Sequence, residues 1–221
     1  MPVLTYTEEN YLKAIYSIQA NSKQKGASVN EIAERMTTKP GTVTDMLRKL
    51  SEKELIHYEK YKKVELSKTG QSAALLVLRK HRLWETFLHH KLNFQWDEVH
   101  EVAEQLEHIQ STKLIERLDD FLGFPEFDPH GDPIPNSKGE LPHTSTLALI
   151  DAEPGKACKV VAVRDTSSAF LQQLEKLQLQ IGTMLKVTEV MPYDNSVMVS
   201  REKGDAFLLS EKIARNILVA L

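Results

Sequence analysis

The stretch SVNEIAERMTTKPGTVTDMLRKL, residues 28–50, constrains the fold of this chain more than any other. Ser28 and Glu31 form a capping box that starts a short helix, NEIAERM, with Ile32, Ala33 and Met36 turned inward. TTKPG is a tight break. Pro40 suits the first turn of a second helix, where its missing N–H costs nothing. In that helix Val43, Leu47 and Leu50 recur at i, i+4 and i+7 and give it a buried side. Lys39, Gly41, Thr42, Thr44, Asp45, Met46 and Lys49 are left at its N-terminus or on its remaining surface. Two short helices at a tight turn, the second with a small polar N-terminus, form helix-turn-helix architecture, whose second helix enters the DNA major groove. The bland alternative is a helical hairpin that touches no nucleic acid.

The flanking residues extend the same reading. TEENYLKAIYSIQA places Tyr11, Leu12, Ile15, Tyr16 and Ile18 at helical spacing, a first amphipathic helix. LIHYE and VELS around KYKK read as a β-hairpin wing, with Lys60, Lys62 and Lys63 placed to meet phosphates. Ser28, Lys39, Pro40, Gly41, Thr42, Thr44, Asp45 and Lys49 are the remaining candidates for the DNA face. Charge is divided accordingly. Residues 1–70 carry 12 Lys/Arg against 9 Asp/Glu, while the rest of the chain carries 16 against 22, so a basic end sits on an acidic body.

Behind the wing, a long helix from Gln71 to about Asn93 sets His81 and Glu85 four residues apart. HEVAEQLEH, residues 100–108, reads as another helix with His100, Glu104, Glu107 and His108 on one face. Four nitrogen or oxygen donors on one stripe bring like charges together unless a cation lies between them, although exposed Glu-rich helices are common. A third helix, STKLIERLDDFLGF, carries Leu114, Leu118, Phe121 and Leu122 along one side, and such helices can build a dimer interface. FPEFDPHGDPIPNSKGELP is a Pro- and Gly-rich loop. From Cys158 onward CKVVAV, MLKVTEV, SVMVS and AFLLS read as strands around a helical SAFLQQLEKLQL, with turns at QIGT, PYDN and EKGD. That pattern resembles a small SH3-like barrel whose core includes Phe170, Leu171, Leu174 and Leu177.

RKHRLWETFL, HEVAEQLEH, ERLDDFLGFP and DPHGDPIP, in this order behind a winged helix, resemble the diphtheria-toxin-repressor family of metal-dependent transcriptional repressors, above all its manganese-responsive branch. The resemblance implies a mainly α N-terminal two-thirds and a small C-terminal β domain. The expected division is a winged helix-turn-helix domain at 1–70, a helical metal-binding and dimerisation domain at 71–142, a linker at 143–156 and an SH3-like domain at 157–221. It also implies a primary metal site at Asn10, Glu104, Glu107 and His108, with His81 close by. An ancillary site falls on His81, Glu85 and His100, completed by Asp128, His130 and Asp165. Two departures matter. Glu104 stands where iron-responsive members carry cysteine, and Asn10 stands where the manganese branch typically has aspartate. The remaining oxygen and nitrogen donors suit Mn²⁺ first and Fe²⁺ next, while Zn²⁺ binds such sets tightly in vitro.

The expected function is a metal-gated repressor of metal-uptake genes that binds a palindromic operator in double-stranded DNA as a homodimer. No membrane partner and no small organic substrate are expected. An enzyme is the contrary class, but HEVAEQLEH is not HExxH, since position 104 is Glu. A DNA-binding protein whose metal is purely structural is the other. No run of about 18 apolar residues exists, the first residues do not read as a signal peptide, and Cys158 is the only cysteine, so a cytoplasmic protein is expected.

Overall fold

The computed structural model describes residues 4–21, 25–201, 204 and 206–221. The chain divides into two compact units, one made of 1–81, 104–115 and 135–140, the other of 82–103, 116–134 and 141–221.

In the first unit, helix α1 (Tyr6–Asn21) leads into α2 (Val29–Arg35) and α3 (Pro40–Glu52). The capping box at α2 forms as expected: Ser28 Oγ accepts from Glu31 N at 3.2 Å, and Ser28 N donates to Glu31 Oε2 at 2.7 Å. Met36 is the C-cap of α2 and half-buried, so Ile32 and Ala33 carry the buried side. Pro40 opens α3, and Val43, Leu47 and Leu50 are its buried residues. The wing is a pair of two-residue antiparallel strands, β1 (Ile56–His57) and β2 (Glu65–Leu66), extended by a bridge between Ala27 and Val64. Leu12 and Ile15 of α1 pack with Ile32, Val43, Leu47, Leu50 and Leu55 in one apolar core, each fully buried. The 25-residue helix α4 (Lys68–Leu92) then supplies Ala73 and Ala74 to this core. This is a winged helix.

Helix α5 (Val99–Leu106) is shorter than the nine-residue stripe expected for it, because Glu107 and His108 lie in the turn after its last residue. Helix α6 (Thr112–Leu122) follows, burying Ile115 and Leu118 but leaving Leu114 and Phe121 41% and 63% exposed.

The second unit is dominated by a six-stranded antiparallel sheet. Its strands are β3 (Leu147–Ala148), β4 (Ala157–Val163), β5 (Met184–Val190), β6 (Val197–Arg201), β7 (Ala206–Leu209) and β8 (Ile217–Ala220). They stand in the order β3-β8-β4-β5-β6-β7. Helices α7 (Ser168–Lys176) and α8 (Glu211–Asn216) complete the unit. Bulges between Val160 and Ala162 and between Val187 and Glu189 add twist, as closing a small sheet requires. Residues 147–151, within the stretch expected as linker, hold β3 and the fully buried Leu149, because their apolar side chains join the core of the sheet. The EKGD turn falls largely outside the described residues. Among the described residues no helix is long and apolar enough to cross a membrane.

Candidate metal centre and DNA-facing surface

The first cluster of chemistry-bearing side chains lies in the first unit, where the chain leaves α5. Glu107 is fully buried. Its Oε2 is 2.6 Å from His81 Nδ1, and Lys13 Nζ donates to its two oxygens at 2.7 and 2.8 Å. The same Lys13 ammonium donates to Glu104 Oε1 at 2.6 Å. Ending the helix at Leu106 frees Glu107 and His108 from helical spacing and turns both inward.

His108 is held by a partner that sequence patterning misses. Its Nδ1 is 2.6 Å from Glu9 Oε2, while Tyr6 stacks on its ring at 4.7 Å. A carboxylate can only accept, so Nδ1 donates in this bond and Nε2 is the ring nitrogen left for another partner. Nε2 lies 3.7 Å from Glu107 Oε1. Glu9 is itself fixed by Gln110 Nε2 at 3.1 Å and Lys80 Nζ at 3.6 Å. This is the arrangement of a ligand histidine oriented by a carboxylate behind it.

Asn10 tests whether the cluster fits a cation. Its Oδ1 is buried and accepts no hydrogen bond, and an acceptor left so costs about 1–3 kcal/mol unless something positive meets it. Asn10, Lys13 and Glu104 line one cavity of about 240 Å³. An amide oxygen, two carboxylates and an imidazole nitrogen are hard or borderline donors with no sulfur among them, the chemistry that Mn²⁺ and Fe²⁺ accept. In their chemistry these donors suit a divalent ion.

A second cluster lies in the second unit. Glu85, Asp128 and His130 are all buried, with ligand atoms within 4.8 Å of one another. His130 Nε2 donates to the Trp96 carbonyl at 2.9 Å, and its Nδ1 lies 3.8 Å from Glu85 Oε2. Trp96 also stacks on His130, with ring centroids 5.7 Å apart, and donates its indole N–H to Pro129 O at 3.0 Å. Asp128 Oδ1 accepts from His130 N at 2.8 Å and Asp132 N at 3.0 Å. Burial, reinforced by the charges of Glu85 and Asp132, pushes the Asp128 carboxyl up to about 8. Burial pulls His130 the other way, but the Glu85 and Asp128 carboxylates outweigh it and hold the imidazole above its usual range.

The remaining expected ligands are placed unevenly. His100 Nδ1 reaches Glu85 Oε1 at 3.2 Å with half of its side chain exposed. His81 turns to Glu107. Asp165 is not a member of the Glu85–Asp128–His130 group, and its Oδ1 accepts from Ser167 N at 2.9 Å, so its local role is to shape the entry to α7. Glu9, Lys13, Lys80 and Trp96 carry no signal in spacing or composition, because their partners stand far away along the chain.

On the winged helix, Lys39, Pro40, Gly41, Thr42, Asp45 and Lys49 are exposed, and Thr44 is half-buried. Thr44 Oγ1 donates to Pro40 O at 3.0 Å, whereas Ser28 Oγ accepts from Glu31 N in the cap, so each hydroxyl already has one partner within the fold. A Cβ added at Gly41 would meet nothing within 4 Å, so the fold itself does not require glycine there. Lys60 and Lys62 are exposed and Lys63 is half-buried around Tyr61, which sits 93% exposed at the wing tip.

Three family models cover the chain in succession. Residues 3–64 match the iron dependent repressor, N-terminal DNA binding domain. Residues 67–136 match the iron dependent repressor, metal binding and dimerisation domain, and residues 147–221 match the FeoA domain. The diphtheria toxin repressor of Corynebacterium jeikeium (strain K411) is 32% identical over 195 residues, covering 88% of this chain and 79% of the relative. The iron-dependent repressor IdeR of Mycobacterium leprae (strain TN) is 27% identical over 212 residues, covering 93% and 89%. Among solved structures, a manganese-dependent transcriptional repressor in complex with manganese superposes with a TM-score of 0.86 at 33% identity, over 96% of this chain and 99% of that one. ScaR with bound Zn²⁺ superposes at 0.76, also at 33% identity, over 96% and 98%. The winged helix, the succession of matched domains and relatives matched along most of their length place this chain in the diphtheria-toxin-repressor family of metal-dependent, DNA-binding transcriptional repressors.

Proposed function

We propose that this protein is a cytoplasmic, manganese-responsive repressor that binds a palindromic operator as a homodimer and controls metal-ion uptake. The observation that carries the choice of metal is the donor set Asn10, Glu104, Glu107 and His108. It contains no sulfur, and the buried Oδ1 of Asn10 accepts no hydrogen bond. A divalent ion, when bound, supplies the charge that carboxylates so close together need. Glu107 and His108 would hold it from the turn after α5, Asn10 from α1, and Glu9 would keep the His108 Nε2 lone pair aimed inward. Glu85, Asp128 and His130 would form the second site.

Because α1 buries Leu12 and Ile15 in the core that also holds α3, residues of α1 that grip an ion also fix the seat of the recognition helix. Lys39, Pro40, Gly41 and Thr42 would enter the groove. The open space around Gly41 supports this, since close approach to DNA is what its lack of a side chain serves. Lys60, Lys62 and Lys63 would hold phosphates.

The test is selection of binding sites from a random duplex pool, run in parallel with Mn²⁺ and with chelator. The expected result is a palindrome enriched only with Mn²⁺, weaker enrichment with Fe²⁺ under anaerobic conditions, and a two-to-one protein-to-site stoichiometry. Equal enrichment in both arms would make the metal structural rather than regulatory. Enrichment with Fe²⁺ alone would reverse the metal assignment.

A further inference from the structure

The Glu104–Glu107 pair already has a cation. Lys13 Nζ stands 2.6 Å from Glu104 Oε1 and 2.7 and 2.8 Å from the two oxygens of Glu107. Its side chain is only 15% exposed and Glu107 not at all, so water screens this contact weakly. One ammonium thus bridges two carboxylates that would otherwise repel each other, offsetting one of their two charges, and it occupies the space between them. An ammonium and a divalent ion cannot share that space.

The cavity beside the cluster gives the displaced group somewhere to go. It measures about 240 Å³, and Asn10, Ser17, Arg35, Thr37 and Glu104 are among its walls. Asn10, Lys13 and Ser17 recur on one face of α1 at i, i+3 and i+7, so the flexible lysine stem can swing along its own helix toward the Ser17 and Thr37 hydroxyls. Arg35 in the wall makes this a poorer home for an ammonium than the glutamate pair. The lysine is therefore poised between two positions.

Resting on the reading of Asn10, Glu104, Glu107 and His108 as the metal site, we propose that Lys13 is a built-in competitor of the metal. It holds Glu104 and Glu107 together at low metal concentration, and a divalent ion displaces it into the cavity lined by Ser17 and Thr37. Lys13 thereby sets the metal concentration at which the protein responds.

The test is Mn²⁺ titration by calorimetry on the full chain, with thermal melts in chelator and in saturating Mn²⁺. Lys13→Gln is expected to tighten Mn²⁺ binding at least tenfold. It should also lower the melting temperature in chelator while leaving that in saturating Mn²⁺ unchanged or higher. Binding that is equal or weaker in Lys13→Gln overturns the proposal. Ser17→Leu, which fills the cavity without touching the ion pair, is expected to weaken Mn²⁺ binding several-fold in the parent. It should have no effect in the Lys13→Gln background, and an equal effect in both would also overturn the proposal. Glu107→Gln separates the two readings. Loss of Mn²⁺ binding there upholds the site whatever Lys13 does, and unchanged binding removes the site and the Lys13 proposal with it.

Discussion

The seat of the second cluster can be tested through one backbone position. Gly131 has φ +83°, the left-handed region that an L side chain enters at a cost of about 1–2 kcal/mol. A Cβ there would stand 2.0 Å from Val161 O, 2.5 Å from Ala162 Cα and 2.7 Å from Ala162 Cβ. The two nearest are backbone atoms of β4, which cannot rotate away, so the loop must move outward by more than an ångström. That movement breaks the bond from Val163 N to His130 O, now 3.0 Å, for about a further 1 kcal/mol. It also loosens the packing of Trp96 on His130. Gly131→Ala is expected to cost roughly 2–3 kcal/mol in all, a melting-temperature drop of about 10 °C for a unit of this size. Gly123→Ala is the control, since Gly123 has φ +77° but nothing within 4 Å of the added carbon, and it should cost only the conformational part. Both tryptophans of the chain, Trp84 and Trp96, belong to the second unit, so tryptophan fluorescence reports its melting alone. Gly131→Ala should also weaken metal binding at the proposed Glu85–Asp128–His130 site. A melt within about 2 °C of the Gly123→Ala control would refute the argument that β4 holds this loop.

Glu9→Ala should weaken Mn²⁺ binding about 10–100-fold at the first site without removing any ligand, because His108 loses the acceptor that fixes its tautomer; calorimetric titration checks it. The Asp128 carboxyl, raised to about 8 when folded and ordinary when unfolded, favours the native state less as pH climbs between about 4 and 8. Asp128→Asn should therefore be more stable than the parent at pH 8 in chelator and lose that advantage toward pH 4, as fluorescence-detected melts would show. Lys62→Ala should weaken binding to all duplexes alike and reduce the salt slope by about one unit in a salt-dependent binding series, whereas a sequence-selective loss would remove Lys62 from the phosphate contacts.

What was legible in the sequence was whatever repeats within a helical turn or a hairpin. The Ser28–Glu31 capping box, Pro40 at the head of α3 and the Val43, Leu47, Leu50 stripe are local patterns, and each appears where expected. The donor-rich segment HEVAEQLEH was legible as chemistry but not as geometry. Neither Gly nor Pro marks the end of α5 at Leu106, yet the helix stops there, and Glu107 and His108 are both buried among partners from distant segments. Glu9 and Lys13 sit in a helix whose apolar spacing says nothing of them, and their roles depend on residues more than 90 positions away. Trp96 passes in the sequence for part of a break between helices. It proves to be a core residue of the second unit that braces His130, because an aromatic in a short non-helical stretch gives no hint of what it packs against. The exposed Leu114 and Phe121 are the apolar stripe of α6 seen on a single chain, the kind of face that a dimerisation domain covers.

The first helix explains how one small site can control a distant surface. Its residues Leu12 and Ile15 are fully buried in the core that holds α3, while Glu9, Asn10 and Lys13 of the same helix face the donor cluster. An α-helix of 16 residues is stiff at this scale, so the two sides move together. Linkage then sets the size of the effect: whatever factor the ion contributes to DNA affinity, DNA must return to ion affinity, at about 1.4 kcal/mol per tenfold change. A hundredfold gate thus requires a difference of only about 2.8 kcal/mol between the two arrangements of α1. That is less than breaking one buried ion pair commonly costs. Exchanging the Lys13 ammonium for a divalent ion between Glu104 and Glu107 changes a buried ion pair of this kind. The ion gates DNA binding to the extent that it binds one arrangement of α1 more tightly than the other.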